Sequence, residues 1–527
     1  MSEYTQPNNV QAVLETDIDA GIQTSVATER EGNAFVPLRK KTVYEKSGVN
    51  AVFALLAVVL GYLLVKIGLY GMLGLGMTVW ILLLLGLTVA WMKVKKLTIN
   101  RAGIGYFSLM APIGLYFFLS DNMALKGLAL FLLPVVYTYA VYTAVGRRET
   151  NRLDGHFFTD MSAALFVFPF TGFPASPVIL AGSLKKVRNV KKVWYFLLGM
   201  LMMLPLLYLV LSMLSFDSAF SNLLSVLPDF WRIDKAEILK WIVGILLSFF
   251  LFGFLYQLIH KKRETSIKTA SLHDIVPGSL ALGAVIPLLL IYVLFFFSQL
   301  AYFVSAFSGI LPVDFTYAEY ARKGFFELCT VSGINAFVLT LLFLLTKRES
   351  QRHMAFRTSM TLLSLCSVIL VVISLQKMLM YITVYSLTPL RVYTSWFMLF
   401  LMICFLAAMG KIWMPKLNVM KILVLSLVSM FLILCYADSD RFIASYNAGQ
   451  YESGISASLD EETLRKLGAS ATPELIRVQR AKYSETVEKE LLRRENFVSR
   501  DLWDLNLAVW QAENALEAYW KDSAMLS

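Results

Sequence analysis

Charged residues are scarce in this chain of 527 residues, where they make up 16% of the sequence against 57% hydrophobic residues. Soluble globular domains carry about 25% charged residues. The shortage excludes an ordinary soluble protein, and the mean hydropathy of +0.63 indicates a chain that needs lipid. The net charge of +11 lies mostly in short loops between apolar runs. We interpret it as a determinant of membrane topology and not as a surface for nucleic acid.

Cysteine and histidine are also rare, with four of each. The cysteines lie singly in apolar runs and form no CxxC pair, which indicates neither a disulfide framework nor a zinc site. The chain contains no GxxxxGK[ST] phosphate loop, no GxGxxG turn followed by an acid, no HExxH pair and no GxSxG elbow. We therefore predict no cofactor, no metal and no catalytic residue.

Eleven apolar runs have a length suited to crossing a membrane, for which a helix needs about 20 mainly apolar residues. They are 49–67, 71–92, 102–119, 123–145, 193–214, 238–259, 277–300, 325–346, 358–376, 391–410 and 418–436. The sequence thus predicts an all-α, polytopic membrane protein. Its parts are a disordered tail at 1–48, a transmembrane domain at 49–436 and a small helical tail domain at 437–527.

Basic residues concentrate in alternate loops between these runs, at 39–46, 93–101, 147–192, 261–268, 347–357 and 411–421. Loops rich in Lys and Arg stay in the cytoplasm. This pattern predicts a multi-pass protein of the plasma membrane, with a cytoplasmic N-terminus and an extracytoplasmic C-terminus.

Residues 157–182 are apolar enough to contact lipid, but one crossing there would move the basic cluster at 185–192 to the outside. Pro169, Pro174 and Pro177 also interrupt the run. We favour an interfacial or re-entrant segment on the cytoplasmic side. Its basic cluster could hold anionic headgroups, although setting the topology would explain it equally.

The stretch 312–335 joins a strong helix start to a membrane-sized apolar run. Thr316 and Glu319 have capping-box spacing, which predicts a helix beginning near Tyr317. Glu319, Arg322, Lys323 and Glu327 follow at spacings that allow ion pairs along one flank. Glu327 falls about one turn inside the apolar run, where a carboxylate is by default a functional hypothesis. The alternative is a helix end anchored by charge.

A second outer feature, 377–393, is flanked by Lys377 and Arg391. Both basic residues are on the same predicted side as Glu319 and Glu327, so they are natural counter-ions for these acids. The candidate outer-face cluster is therefore Tyr317, Glu319, Tyr320, Arg322, Glu327, Lys377, Arg391 and Tyr393.

The tail carries several helix signals. Residues 439–451 read as a short helix, and Ser458 and Glu461 form a capping box. Thr472-Pro473 opens a helix that we expect to reach about Asn496. Ser499 is a possible cap for a last helix with a wide apolar face. That face either packs on the other tail helices or docks an envelope protein.

Three segments resemble the bacterial membrane family labelled domain of unknown function 4173, which is close to the related 4153 family. They are TYAEYARKGFFEL at 316–328, the run from Lys377 to Tyr393, and FIASYN with Tyr451 at 442–451. The resemblance covers roughly residues 190–520, with Lys377 and Ser386 where the family pattern has Arg and Gly. It implies a many-helix bacterial membrane protein with an extracytoplasmic tail, and it implies no reaction.

Three functions stay open. We favour a non-enzymatic membrane protein whose outer face binds a partner or ligand in signalling or envelope maintenance. The alternatives are a transporter or channel for a small solute or ion, and a membrane enzyme acting on lipid or cell-wall precursors. The expected surroundings are the lipid bilayer and an envelope partner at the tail, with no nucleic acid. The oligomeric state is left open.

Overall fold

The computed structural model describes residues 44–97, 99–146, 157–183, 235–260, 275–308, 317–495 and 502–526, with seven single positions between 199 and 214. Side chains at 158, 159, 235, 299–308, 317–324, 326 and 526 lie outside this description. The chain divides between Glu45 and Lys46, and nearly all described residues belong to the second unit, Lys46–Ser527. Within the second unit the described residues form helices and no strand, with one isolated bridge between Val276 and Thr346. The prediction of an all-α fold is confirmed.

Before the tail, the described chain forms long helices and three short ones. The long helices are α1 (Gly48–Gly68), α2 (Leu75–Val94), α3 (Arg101–Leu119), α4 (Met123–Ala144), α8 (Lys235–His260), α9 (Gly278–Ser308), α10 (Tyr317–Leu345), α11 (Met354–Tyr385), α12 (Pro389–Trp413) and α13 (Val419–Tyr436). The short helices, between α4 and α8, are α5 (Phe157–Ser162), α6 (Phe168–Gly172) and α7 (Ala175–Ser183). Polar caps start several of them: the side chains of Ser47, Asn100, Asn122, Thr388 and Asn418 each accept a backbone N–H of the first turn. Such caps satisfy amide groups that the helix itself leaves without partners.

Eleven stretches of the described chain have the length and hydropathy of a membrane span. Ten correspond to predicted runs. The eleventh, Asp160–Gly182, is the stretch that the sequence favoured as interfacial or re-entrant. The predicted span 193–214 lies outside the described residues, apart from seven single positions that are helical.

The described helices alternate between two ends of the bundle. At one end Gly103 in α3 approaches Ala144 in α4, and Arg357 of α11 donates to the carbonyl of Ile412 in α12. The same end carries Lys46, Lys93, Lys95, Lys96, Arg101, Lys347, Arg348, Arg352, Arg357, Lys411, Lys416 and Lys421. We call it the basic end. The opposite end, where α13 leads into the tail, is the tail end.

Residues 157–183 begin and finish near the basic end. The ring of Phe157 lies 5.1 Å from that of Tyr139, near the end of α4. A Cβ at Gly182 would lie 2.5 Å from the side chain of Lys46, just before α1. Between these points Phe173 contacts Phe249 and Phe250 in the middle of α8. The chain turns at 173–174 between α6 and α7, so the segment reaches mid-depth and returns.

This segment and α1 both pack closely against α8, with backbone contacts at glycines. A Cβ at Gly172 would overlap the carbonyl oxygen of Gly253, and one at Gly61 would overlap that of Gly244. No larger residue fits either crossing. Small residues at helix crossings are how membrane helices gain van der Waals contact without a hydrophobic driving force.

The tail consists of α14 (Ser439–Glu452), α15 (Glu461–Lys466), α16 (Thr472–Ala481), α17 (Glu485–Arg494) and α18 (Leu507–Leu526). Its apolar residues Ile443, Leu475, Val487, Leu491 and Leu516 belong to the same hydrophobic core as α9–α12. Tail and membrane helices are therefore one packed body in this half of the chain.

Three details of the tail differ from the prediction. Asp460, and not Ser458, caps α15 by accepting the N–H groups of Glu462 and Thr463. The helix from Thr472 was predicted to reach Asn496 but ends at Ala481, because Lys482 turns away to donate to the carbonyl of Tyr451. Asn506 caps the last helix, whereas Ser499 lies outside the described residues.

Candidate functional site

The predicted outer-face cluster begins at the start of α10. The helix starts at Tyr317, where the sequence placed it. The side chains of Tyr317, Glu319, Tyr320 and Arg322 lie outside the described residues, so the cluster is described from Glu327 onward.

Glu327 and Lys377 are electrostatic neighbours on α10 and α11. Lys377 is 8% exposed, and the charge of Glu327 acts on it. The side chain of Glu327 itself is exposed. The sequence proposed this pairing from the shared side of the membrane alone.

Arg391 makes contacts that the sequence did not predict, and its pairing with Glu319 or Glu327 stays a prediction. Its guanidinium donates to the carbonyl oxygens of Tyr385 and Ser386, at the end of α11. It also lies over the ring of Tyr381, 4.2 Å from the centroid. Arg391 therefore closes the α11–α12 turn, in which Ser386 has a positive φ of 63°. Carbonyls at a helix end lack partners within the helix, and a basic side chain supplies them.

Tyr393 belongs to a second group of residues, which the sequence did not reveal. Its hydroxyl accepts a hydrogen bond of 2.8 Å from Nδ2 of Asn122, the cap of α4. The same nitrogen lies 3.0 and 2.9 Å from the two carboxylate oxygens of Asp440 in α14. Three distant parts of the chain thus meet at the tail end, and we call Asp121, Asn122, Tyr393, Asp440 and Gly468 the tail joint.

Two carboxyl groups of the tail joint converge on Gly468. The N–H of Gly468 donates to Asp440 Oδ2 at 3.1 Å, and the N–H of Ala469 donates to Asp121 Oδ2 at 2.6 Å. A Cβ at Gly468 would lie 2.6 Å from Asp121 Oδ1 and 2.8 Å from Asp440 Oδ2. Asp121 Oδ1 is buried and accepts no hydrogen bond within the described part of the chain. Glycine is therefore required here by the two carboxyl groups.

Burial raises the pKa of Asp440 to about 7, and the charges of Asp121 and Asp438 act in the same direction. The hydrogen bonds from Gly468 and Asn122 oppose this shift without cancelling it. Asp440 is 2% exposed. Removing an anion from water favours its protonated form, so this carboxyl titrates near neutral pH.

Arg494 holds the loop that carries Gly468. The guanidinium is fully buried and donates to the carbonyl oxygens of Leu464, Leu467 and Gly468. It also donates to Thr472 Oγ1 and to Glu490 Oε1, the latter at 2.8 Å. Burial alone would raise the pKa of Glu490, but the hydrogen bonds from Arg493 and Arg494 bring it below its usual value. An arginine with every donor direction occupied fixes the loop geometry.

The tail makes a second contact with the membrane helices through residues 502–506. The N–H of Leu75 donates to the carbonyl of Leu505 at 2.8 Å, and the N–H of Met72 donates to Asp504 at 2.8 Å. Asn506 donates to the carbonyls of Phe117 and Ser120 at the end of α3. Lys126 lies next to this contact. Its side chain is 1% exposed, and its Nζ donates to the carbonyl of Met72 at 3.3 Å.

A groove of about 600 Å³ opens on the tail between α17 and α18. Its lining residues are Arg494, Glu495, Glu513, Leu516, Glu517, Trp520, Lys521 and Ala524. Lys521 is bonded to Glu517 at 2.6 Å. The exposed part of the lining carries more acid than base. The indole N–H of Trp520 has no hydrogen-bond partner among the described residues. These features suit a ligand with basic and apolar parts.

No group of three or more metal-ligating side chains occurs among the described residues. The contacts of the tail joint are hydrogen bonds that hold the tail against the bundle.

The fold and these contacts define a polytopic helical membrane protein whose C-terminal tail is packed on one end of its bundle. A family model described as Domain of unknown function (DUF4153) matches residues 107–478, and the chain belongs to this family. It is the related family of the sequence resemblance, and membership of the 4173 family stays a prediction. No curated protein and no solved structure matches this chain.

Proposed function

We propose that this chain is a non-enzymatic protein of the bacterial plasma membrane. Its tail end faces outward and binds an envelope partner or ligand, in signalling or envelope maintenance. The tail gives the main support for this proposal. Two separate contacts hold it against the bundle, and it presents an acidic, partly apolar groove. A tail held this rigidly offers a preorganised surface, which lowers the entropic cost of binding.

The orientation is supported by the charges at the two ends. Twelve described basic residues named above gather at the end opposite the tail, and such loops stay in the cytoplasm. Single cysteines at Asn514 and Glu349, both exposed, test this on a cysteine-free chain in intact cells. We expect a membrane-impermeant maleimide to label position 514 and not 349. The reverse pattern would overturn the proposal.

The binding role is tested at the groove in a strain that lacks the protein. We expect the wild-type chain to restore normal sensitivity to detergents and envelope-directed antibiotics. The pair Glu513→Lys and Trp520→Ala should fail to do so while reaching the membrane at wild-type level. Tyr483→Ala, on another exposed part of the tail, is the control. Full rescue by the groove variant would contradict the role of the groove.

A transporter or channel is the second candidate, favoured by a polar network inside the bundle. Tyr292 of α9 donates to Asn335 of α10 at 2.5 Å, and Asn335 donates to Ser367 of α11 at 2.9 Å. Asn335 and Ser367 are fully buried. Buried polar groups within a membrane mark solute paths in some proteins and hold helices together in others.

Flux into proteoliposomes separates these two roles. A transport path requires that Tyr292→Phe and Glu327→Gln lower a flux that the wild-type chain supports. If the wild-type chain gives only the leak of empty vesicles for a panel of ions and small solutes, the network serves packing.

A further inference from the structure

Residues 502–510, which end the connection from α17 and begin α18, expose unusually large apolar side chains. Leu502 is 70% exposed, Trp503 45% and Trp510 52%. A soluble tail surface would rarely place two tryptophans and a leucine in water within nine residues, because each loses favourable free energy in proportion to its exposed apolar area. Something apolar should cover this surface.

The position of the segment indicates what covers it. A Cβ at Gly76 would lie 3.0 Å from the carbonyl oxygen of Trp503, and Leu505 accepts the N–H of Leu75. Leu75 and Gly76 are the first residues of α2, a membrane span. The segment therefore lies at the depth where this span leaves the lipid.

Exposed apolar residues at the ends of the spans lie close to this segment. Leu69 and Met72, in the α1–α2 connection, are 70% and 58% exposed. The neighbouring Gly71 is held close to Asp504, since a Cβ there would lie 3.0 Å from Asp504 Oδ1. Exposed side chains on both sides of this contact thus face outward from the same rim of the bundle.

We propose that Leu502, Trp503 and Trp510 insert into the bilayer at the boundary between headgroups and acyl chains. Tryptophan prefers this layer because its apolar ring and its N–H suit the two sides of the boundary. The tail is then anchored by lipid as well as by protein contacts, and its α18 begins at the membrane surface. This inference goes beyond the proposed function and holds whatever the tail binds.

The test uses the full chain in lipid nanodiscs, with Cys329, Cys366, Cys404 and Cys435 replaced by alanine. Trp510→Cys carries an environment-sensitive fluorophore. Tyr483→Cys is the matched control, since it is 65% exposed on the tail and its carbonyl contacts Tyr451 near the far end of α14. From Ser439 to Tyr451, α14 rises about 18 Å at 1.5 Å per residue.

Two quenchers report the surroundings of each label. A spin label on the lipid near the headgroup should quench the label at 510 about threefold more than the label at 483, because the boundary lies within about 5–10 Å of the surface. Aqueous iodide should show the opposite order. Equal iodide quenching at both sites would overturn the inference. So would shielding of position 510 from both quenchers, which would mean that protein covers it.

A further variant guards against a local effect of the label. Trp503→Cys, labelled in the same way, should show the same preference for the lipid quencher. If 503 and 510 differ in their preference, the two side chains do not share one lipid surface and the inference fails.

Discussion

Glu327 and Asp440 are both carboxyl groups of the tail-end half of the molecule, yet their surroundings are opposite. Glu327 is exposed, with a buried lysine as its charged neighbour. Asp440 is buried and bonded to Asn122 and Gly468, more than 300 and nearly 30 residues away in the chain. Glu327 stands out in the sequence because it interrupts an apolar run. Asp440 resembles any polar residue that follows a span, yet it connects the tail to the bundle.

This difference has a physical origin. A local sequence pattern shows that a charge in an apolar run is energetically unfavourable. It cannot show which distant loop stabilises that charge. If the comparison is correct, substitutions in and around the tail joint should loosen the tail strongly, and substitutions in the predicted cluster should have smaller effects.

The largest effect is expected for Arg494→Ala. The variant removes donors to three carbonyl oxygens and leaves Glu490 buried without its buried partner. Breaking a buried ion pair costs about 3–5 kcal/mol. Limited proteolysis of the tail in nanodiscs should show a loss of protection, with the membrane core still protected. Lys489→Ala, an exposed ion-paired residue of the same helix, should behave as wild type.

Gly468→Ala should have the next largest effect. The added methyl group would overlap both carboxyl groups of the tail joint, and overpacking of this kind costs about 1–3 kcal/mol. The melting temperature of the tail should fall, as followed by a fluorophore on an exposed tail cysteine. Gly449→Ala is the control, since a Cβ there would meet nothing within 4 Å. Equal melting temperatures for the two variants would contradict the tight convergence at Gly468.

The stability of the tail packed on the bundle should depend on pH through Asp440. Its pKa is about 7 in the fold and about 4 when solvated. The folded state therefore favours the protonated carboxyl, and this contribution to stability is complete below about pH 4 and is lost as pH rises toward 7. Asp440→Asn should remove this component, so that the difference in melting temperature between the variant and wild type changes across this range. Asp522→Asn, at an exposed ion pair with Arg480, should leave the profile unchanged.

Arg391→Ala should act locally and moderately. The turn at Tyr385 and Ser386 loses its donor and the stacking on Tyr381. Hydrogen bonds to a charged group contribute about 1.5–3 kcal/mol. Hydrogen exchange should increase at 385–388 while the tail joint remains protected. An increase that extends to 468–472 would show that the two regions are one unit, against the comparison.

Glu327→Gln should have the smallest effect on the packing of the tail against the bundle. The side chain is exposed, and substitutions at exposed positions usually change stability within about 0.5 kcal/mol. Proteolytic protection of the tail should equal that of wild type. A loss as large as that of Gly468→Ala would place Glu327 in the structural core of the protein.

Much of the fold was accessible from the sequence. Runs of about 20 apolar residues fixed ten spans because lipid leaves a helix few alternatives, and the start of α10 at Tyr317 followed from local capping signals. The tail was harder. Its helix boundaries at 482–484 and 506 depend on Tyr451, Phe117 and Ser120, which are distant in sequence.

The candidate site was only partly accessible for the same reason. The sequence offered Lys377 and Arg391 as counter-ions for Glu327 or Glu319 from their shared predicted side of the membrane. Glu327 acts electrostatically on Lys377, whereas the contacts of Arg391 with carbonyl oxygens were not predicted. Nothing in the spacing of Asn122, Asp440 and Gly468 reveals that they meet. Only the packing of the tail on the bundle brings them together.

The most direct test of a tail fixed on the bundle is a disulfide between the two. Leu75 and Leu505 share a backbone hydrogen bond of 2.8 Å, which places the two residues side by side, as a disulfide requires. On the cysteine-free chain in native membranes, Leu75→Cys with Leu505→Cys should form an intramolecular bond under mild oxidation and lose reactivity to a maleimide. The pair Leu75→Cys with Tyr483→Cys should remain reactive. If the first pair also stays reactive, the tail does not rest on the bundle at residues 502–506, and the account of a tail held by two separate contacts is wrong.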